Sequence, residues 1–130
     1  MDEHSPAPAP GCRLLLLEDE PMVARILEHK LRREGHQVEW RRGWGPGAIS
    51  GAAGFDVALV EVGMGGDSAG WMGDGEPPAV GWFAICEQRD AEAARRAVRA
   101  GAAGVVTKPF KPTEVAAKVR TLLELQRVPR

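Results

Sequence analysis

The chain has 130 residues, with 17 Lys plus Arg against 18 Asp plus Glu and a formal net charge of −1. That length suits one domain with its own apolar core, and the even charge balance leaves no basic excess to hold a nucleic-acid backbone. The longest apolar run, Leu14 to Leu17, is too short to cross a bilayer, and the acidic, Pro/Ala-rich opening is unlike a secretory signal, so the chain reads as cytoplasmic with no membrane partner.

Residues 1–11 read as a disordered tail, because proline alternates with alanine and Gly11 closes the segment. Leu14 to Leu17 is apolar on both faces, as in a central strand of a parallel sheet, and it stops at Glu18-Asp19-Glu20. Pro21 sets the first turn of a helix, in which Met22, Val23, Ile26, Leu27 and Leu31 recur at helical spacing and Gly35 is the stop. Residues 37–41 alternate, with Val38 and Trp40 on one side, and predict a strand. Glycines interrupt residues 43–54, so any second helix there is weak. Residues 55–62 form a second apolar run, with Glu61 near its end. Eight glycines and prolines in 63–78 predict a loop or a single helical turn in place of a third helix.

A strand follows at 80–85. Residues 90–100 predict a helix with Ala94, Ala97 and Val98 inward and Gly101 as its stop. Residues 105–107 are a short strand ending at Lys108-Pro109-Phe110. Pro112 opens a last helix with Val115, Val119, Leu122 and Leu123 on one face. Residues 12–126 thus form one domain, followed by a short tail at 127–130. Alternating strands and helices imply an α/β fold with a parallel sheet covered on both sides. Functional groups of such sheets gather at the carboxyl ends of the strands. Three of those ends are charged here: Glu18-Asp19-Glu20, Glu61 and Lys108. Carboxylates alone would repel one another; Lys108 relieves part of that, and a hard cation such as Mg²⁺ would relieve more.

These motifs carry a resemblance. Leu-Leu-Leu-Leu-Glu-Asp-Glu-Pro at 14–21, Phe-Asp-Val-Ala-Leu-Val-Glu-Val at 55–62 and Ala-Gly-Ala-Ala-Gly-Val-Val-Thr-Lys-Pro-Phe at 100–110, with the closing helix, resemble the receiver domain of two-component response regulators. The resemblance implies a flavodoxin-like, doubly wound five-stranded sheet of order 2-1-3-4-5 and a signalling module, not an enzyme. It implies an acidic pocket at Glu18 and Asp19 and a phosphate-pairing lysine at Lys108, followed by the usually cis bond to Pro109. It implies a candidate Mg²⁺ site from Asp19, Glu18, Glu61 and the backbone carbonyl of Gly63, and no organic cofactor. At the phosphoacceptor position, however, stands Glu61 and not aspartate. Cys86 replaces the Ser or Thr, and Val105 replaces the switch aromatic. The Asp-Asp pair of some receiver dimers is Ala103-Gly104, which leaves the oligomeric state open.

The departures predict a pseudo-receiver that acts by binding a protein partner: a histidine kinase, an output domain or another regulator. Whether Glu61 imitates the phosphorylated state stays open. Two alternatives stand beside it. One is an ordinary phosphorelay domain phosphorylated at Glu61, or at Asp56 or Asp67. The other is a small flavodoxin-like cofactor binder, disfavoured because acidic residues follow the first strand where a phosphate loop would lie. Plainer readings also exist. The acidic triplet suits any helix start, and Lys108 could be a surface lysine before a turn. Cys12 and Cys86 read as buried thiols, and His29 and His36 as solvated. Arg95, Arg96 and Arg99 read as a solvated helix face, Trp82 as core, and Trp44 and Trp71 as either core covers or partner anchors.

Overall fold

In the computed structural model, which describes residues 11–42, 51–62 and 77–127, Arg13–Leu17 forms strand β1. Successive side chains of a strand point to opposite faces. Leu14 and Leu16 therefore enter one core and Leu15 and Leu17 another, and none of the four is more than 1% exposed. Only a strand flanked on both edges and covered on both faces can bury such a run. β1 meets both conditions: it pairs in parallel with β2 (Gln37–Arg41) on one side and β3 (Val57–Glu61) on the other. Beyond β3 lie β4 (Gly81–Glu87) and β5 (Gly104–Lys108), so the sheet order is 2-1-3-4-5 with every pairing parallel.

Helices α1 (Pro21–Arg33) and α3 (Pro112–Arg127) cover one face. Leu27 and Leu31 of α1 share a core with Val115, Ala116 and Val119 of α3 and with Val38, Leu59 and Ile85 of the sheet. Helix α2 (Ala91–Arg99) covers the other face through Ala93 and Ala97, beside Ala52 and Phe55 around a 3₁₀ turn at Ala52–Gly54. This is the doubly wound architecture of a flavodoxin-like domain. Gly35 and Gly101 follow α1 and α2 with φ of 96° and 104°. That left-handed conformation admits glycine without steric cost, which is why both helices stop there.

Several local expectations are corrected. Met22 and Ile26 of α1 are 77% and 49% exposed, because the buried stripe runs through Ala24, Leu27 and Leu31. Val98 is 58% exposed, while Ala93, absent from the predicted inward set, is buried and Ala94 only half-buried. His36 is half-buried, and its Nδ1 accepts a 3.1 Å hydrogen bond from the Cys12 N–H, so it is not a solvated turn residue. Burial also holds its pKa below the ordinary value. Trp82 is core, at 3% exposure. The tail at 1–10, most of the predicted weak helix at 43–50, the predicted loop at 63–76 with Gly63 and Asp67, Trp44 and Trp71, and residues 128–130 lie outside the described residues.

Candidate functional site

Because all five strands run the same way, their carboxyl ends lie along one edge of the sheet. Glu18 directly follows β1, Glu61 is the last residue of β3, and Lys108 is the last residue of β5. Lys108 reaches across the edge and donates to Glu61 Oε2 at 2.6 Å, Glu20 Oε1 at 2.9 Å and Glu18 Oε2 at 3.2 Å. All three hydrogen-bonding directions of one ammonium are thus used. Backbone groups fix the carboxylates further. The Asp19 N–H donates to Glu61 Oε1 at 3.2 Å, and the Glu20 N–H donates to Glu18 Oε2 at 3.0 Å. Trp40 donates its indole N–H to the Glu18 carbonyl at 2.8 Å, which ties β2 to the site.

The electrostatics follow from burial. Glu18 and Glu61 are only 1% and 6% exposed, and a buried carboxylate resists ionisation. Burial, reinforced by the neighbouring Glu61, pushes the Glu18 carboxyl up to about 7 despite the Glu20 N–H and Lys108. Glu61 is also opposed by burial, but its hydrogen bond to Lys108 wins and holds it below the ordinary carboxylate value. Lys108 loses some basicity to burial and regains more from Glu61, Glu20 and Glu18, so its pKa ends above the ordinary lysine value. The two buried acids are thus pushed apart: Glu61 carries the charge that answers Lys108, and Glu18 ionises less readily than an ordinary carboxylate.

The sequence-predicted residues are brought together in part. Glu18, Glu61 and Lys108 meet. The Asp19 side chain turns outward, 59% exposed and 3.8 Å from Arg42, and only its backbone N–H serves the cluster. Glu20, the residue before α1, takes the carboxylate position expected of Asp19. Cys86 is buried at 1% exposure, and burial pushes its thiol up to about 11, so it is a neutral group packed in the second core. Val105 is half-buried against that same core. Lys108-Pro109 is cis. Asp56 sits at the opposite edge of the sheet, before β3, where it accepts from the Arg13 N–H at 2.8 Å. Trp40 is the contributor that sequence reading missed. Its only signal was an aromatic side chain near the end of a strand adjacent to β1.

Glu18, Glu20 and Glu61 each offer an oxygen atom within 4.8 Å of the others. Glu18 Oε1 is buried and has no hydrogen-bond partner among the described residues. With Glu18 ionised, three carboxylates against one ammonium leave two formal negative charges, and all-oxygen donors suit a hard divalent cation. Charge, donor type and the orphaned oxygen therefore fit Mg²⁺. These three side chains would hold it, and it would supply the charge that lets Glu18 ionise.

No family model matches the chain. A curated relative, an uncharacterised transcriptional regulatory protein of Bacillus subtilis, is 26% identical over 118 residues, covering 88% of this chain and 52% of its own length. The chain therefore spans about half of that relative. Among solved structures, the regulatory domain of the repressor of iron transport regulator is 25% identical with a TM-score of 0.71, covering 88% of this chain and 96% of that one. A BeF₃-activated receiver domain of DrrB is 20% identical with a TM-score of 0.70, covering 88% of this chain and 98% of that one. Sheet order, helix placement and these likenesses agree: the chain has the fold of the receiver domains of response regulators.

Proposed function

We propose that this domain is a receiver-type module of two-component signalling that works through protein contacts without being phosphorylated. The observation that carries the reading is the 2.6 Å bond between Lys108 and Glu61. The lysine that the receiver resemblance assigns to pairing with a phosphoryl group is already paired with the residue at the acceptor position. Glutamate also places its carboxylate about 1.5 Å further out than aspartate would, and catalytic geometry loses roughly a hundredfold in rate for a misplacement of about 1 Å. The neutral thiol of Cys86 is a weak donor where a hydroxyl would stabilise phosphoryl oxygens. At Val105 no aromatic ring is available to rotate. A pocket of this kind serves a signalling role and not turnover. Its partner is a histidine kinase, an output domain on the same or another chain, or another regulator, and the cytoplasm is its compartment. The longer transcriptional relative supports an output domain in particular. No helix among the described residues is long and apolar enough to cross a membrane.

The test is the intact mass after incubation with Mg²⁺ and acetyl phosphate, beside a Glu61→Asp variant. The native chain stays unmodified. A native chain that gains one phosphoryl group returns the protein to the ordinary phosphorelay class. The variant separates two causes of inertness: modification of Glu61→Asp alone places the block at Glu61, and an inert variant places it also in the rest of the site.

A further inference from the structure

Glu18 lies one residue beyond β1, and both of its backbone groups are held by β2. Its N–H donates to the Arg41 carbonyl at 3.3 Å, and its carbonyl accepts the Trp40 indole N–H at 2.8 Å. The register pairs Leu17 with Arg41, the last residue of β2, so Glu18 stands one step past the last pair of the ladder. The bond to its carbonyl is made there by a side chain. An indole is a donor only and turns about two side-chain bonds. Trp40 is half-buried against the core that β1 and β2 share with α1, so its N–H is held in one place.

Holding both backbone groups of a residue fixes the direction in which its side chain leaves the chain. For Glu18 that direction is costly. Its side chain is 0% exposed. Oε2 accepts from Lys108 at 3.2 Å and from the Glu20 N–H at 3.0 Å, while Oε1 is buried with no hydrogen-bond partner among the described residues. A buried acceptor left unpaired is expensive, and a residue free to turn would pair it or bring it to water. The clamp from β2 opposes that turn.

We propose that Trp40 is a positioning residue of the cation pocket: by holding the Glu18 carbonyl, it keeps the Glu18 carboxylate turned toward Glu20, Glu61 and Lys108, with Oε1 kept for a divalent cation such as Mg²⁺. β2 supplies no carboxylate to the pocket, yet through Trp40 it sets how well the pocket is organised. Groups that orient metal ligands from outside typically change affinity by about 10–100-fold when they are removed. The inference rests on the reading of Glu18, Glu20 and Glu61 as a cation pocket and is independent of whether the domain is phosphorylated.

The experiment titrates Mg²⁺ into the labelled full chain at pH 8, following the amides of Asp19 and Glu20 for affinity and the side-chain carboxyl ¹³C signal of Glu18 before metal is added. Two changes delete the indole donor: Trp40→Phe, and benzothienylalanine at position 40, which keeps the shape of the ring and replaces its N–H with sulfur. Val38→Ala is the control. It removes apolar volume from the same face of β2 two residues earlier and leaves both Glu18 backbone bonds in place. Both donor deletions weaken Mg²⁺ about tenfold and move the Glu18 carboxyl signal, and Val38→Ala does neither. Native affinity in the benzothienylalanine protein, or an equal loss in Val38→Ala, overturns the proposal, because the indole N–H then positions nothing or β2 acts only through general packing. The two readings fail separately. A native chain that takes up no Mg²⁺, with a Glu18 signal that still moves only in the donor deletions, sinks the cation pocket and leaves Trp40 as the residue that positions Glu18 against Lys108. Mg²⁺ bound equally by every protein keeps the pocket and sinks the role of Trp40.

Discussion

Lys108 holds three carboxylates within 3.2 Å, and two of them, Glu18 and Glu61, are buried. A buried ion pair adds little net stability over an apolar pair of the same shape. Removing one partner is different, because it strands charge where water cannot reach it. Lys108→Met keeps the apolar stem and deletes the ammonium, leaving Glu18 and Glu61 to face each other unanswered. The expected cost is about 3–5 kcal/mol in urea unfolding at pH 8, and a second change, Glu18→Gln, recovers part of it by removing one of the stranded charges. Arg120 is the control. It meets Glu34 at a similar 2.9 Å, but the Arg120 side chain is 53% exposed, and Arg120→Ala should cost less than about 1 kcal/mol. Equal losses from the two lysine and arginine variants would show that burial does not distinguish these ion pairs.

Helix α2 shows what an element can and cannot announce in its sequence. It has nine residues, and Asp90 caps it by accepting the Ala93 N–H at 3.0 Å. Few residues hold so short a helix, so loss of the cap is felt: Asp90→Ala should destabilise the protein by about 1 kcal/mol, read as a lower urea midpoint with unchanged slope. A variant with the native midpoint would mean that Glu92 or solvent replaces the cap. The existence of α2 and its stop at Gly101 were legible, but its inward face was not. Ala93, Ala94, Ala97 and Val98 differ too little in hydropathy for the largest of them to reveal its direction, and Val98 faces solvent. The same limit applies to Met22 and Ile26 of α1. The five strands were legible to within one or two residues, because runs such as Leu14–Leu17 can be buried only in the middle of a parallel sheet. The strand ends then located Glu18, Glu61 and Lys108. Which of three consecutive acids joins Glu18 at the cluster was hidden, since it depends on how the chain turns into α1. With the extended backbone of Glu20 (φ −92°, ψ 112°), its side chain reaches Lys108 while that of Asp19 points toward Arg42.

At the scale of the whole molecule, the buried cluster sets how stability depends on pH. Glu18 has a folded pKa of about 7 against an ordinary 4.5, so between those values the folded state holds a proton that the unfolded chain has released. Its contribution is therefore present in acid and lost as pH rises through about 4.5 to 7, on the order of 2–3 kcal/mol. Glu61 acts in the opposite sense: its folded pKa lies below 4.5, and its contribution disappears as pH falls below that value. Lys108, raised above 10.5, contributes at all pH values below that and is lost only in strong alkali. His36 opposes Glu18, since burial lowers its pKa below 6.5 and its contribution is lost as pH falls through that value. The larger Glu18 effect should dominate, placing maximal stability on the acid side of neutrality. In buffer containing EDTA, the urea midpoint should fall between pH 5.5 and pH 8. Glu18→Gln imitates the protonated carboxyl at every pH, so its midpoint should not fall over that interval and should rise slightly through the His36 contribution that remains. Mg²⁺ needs the ionised carboxylate, so its stabilising effect on the native chain should be larger at pH 8 than at pH 5.5 and should shrink in Glu18→Gln. A native midpoint that holds steady or rises from pH 5.5 to pH 8 without metal would mean that Glu18 is ionised throughout, and Lys108 would then be compensating both buried carboxylates at once.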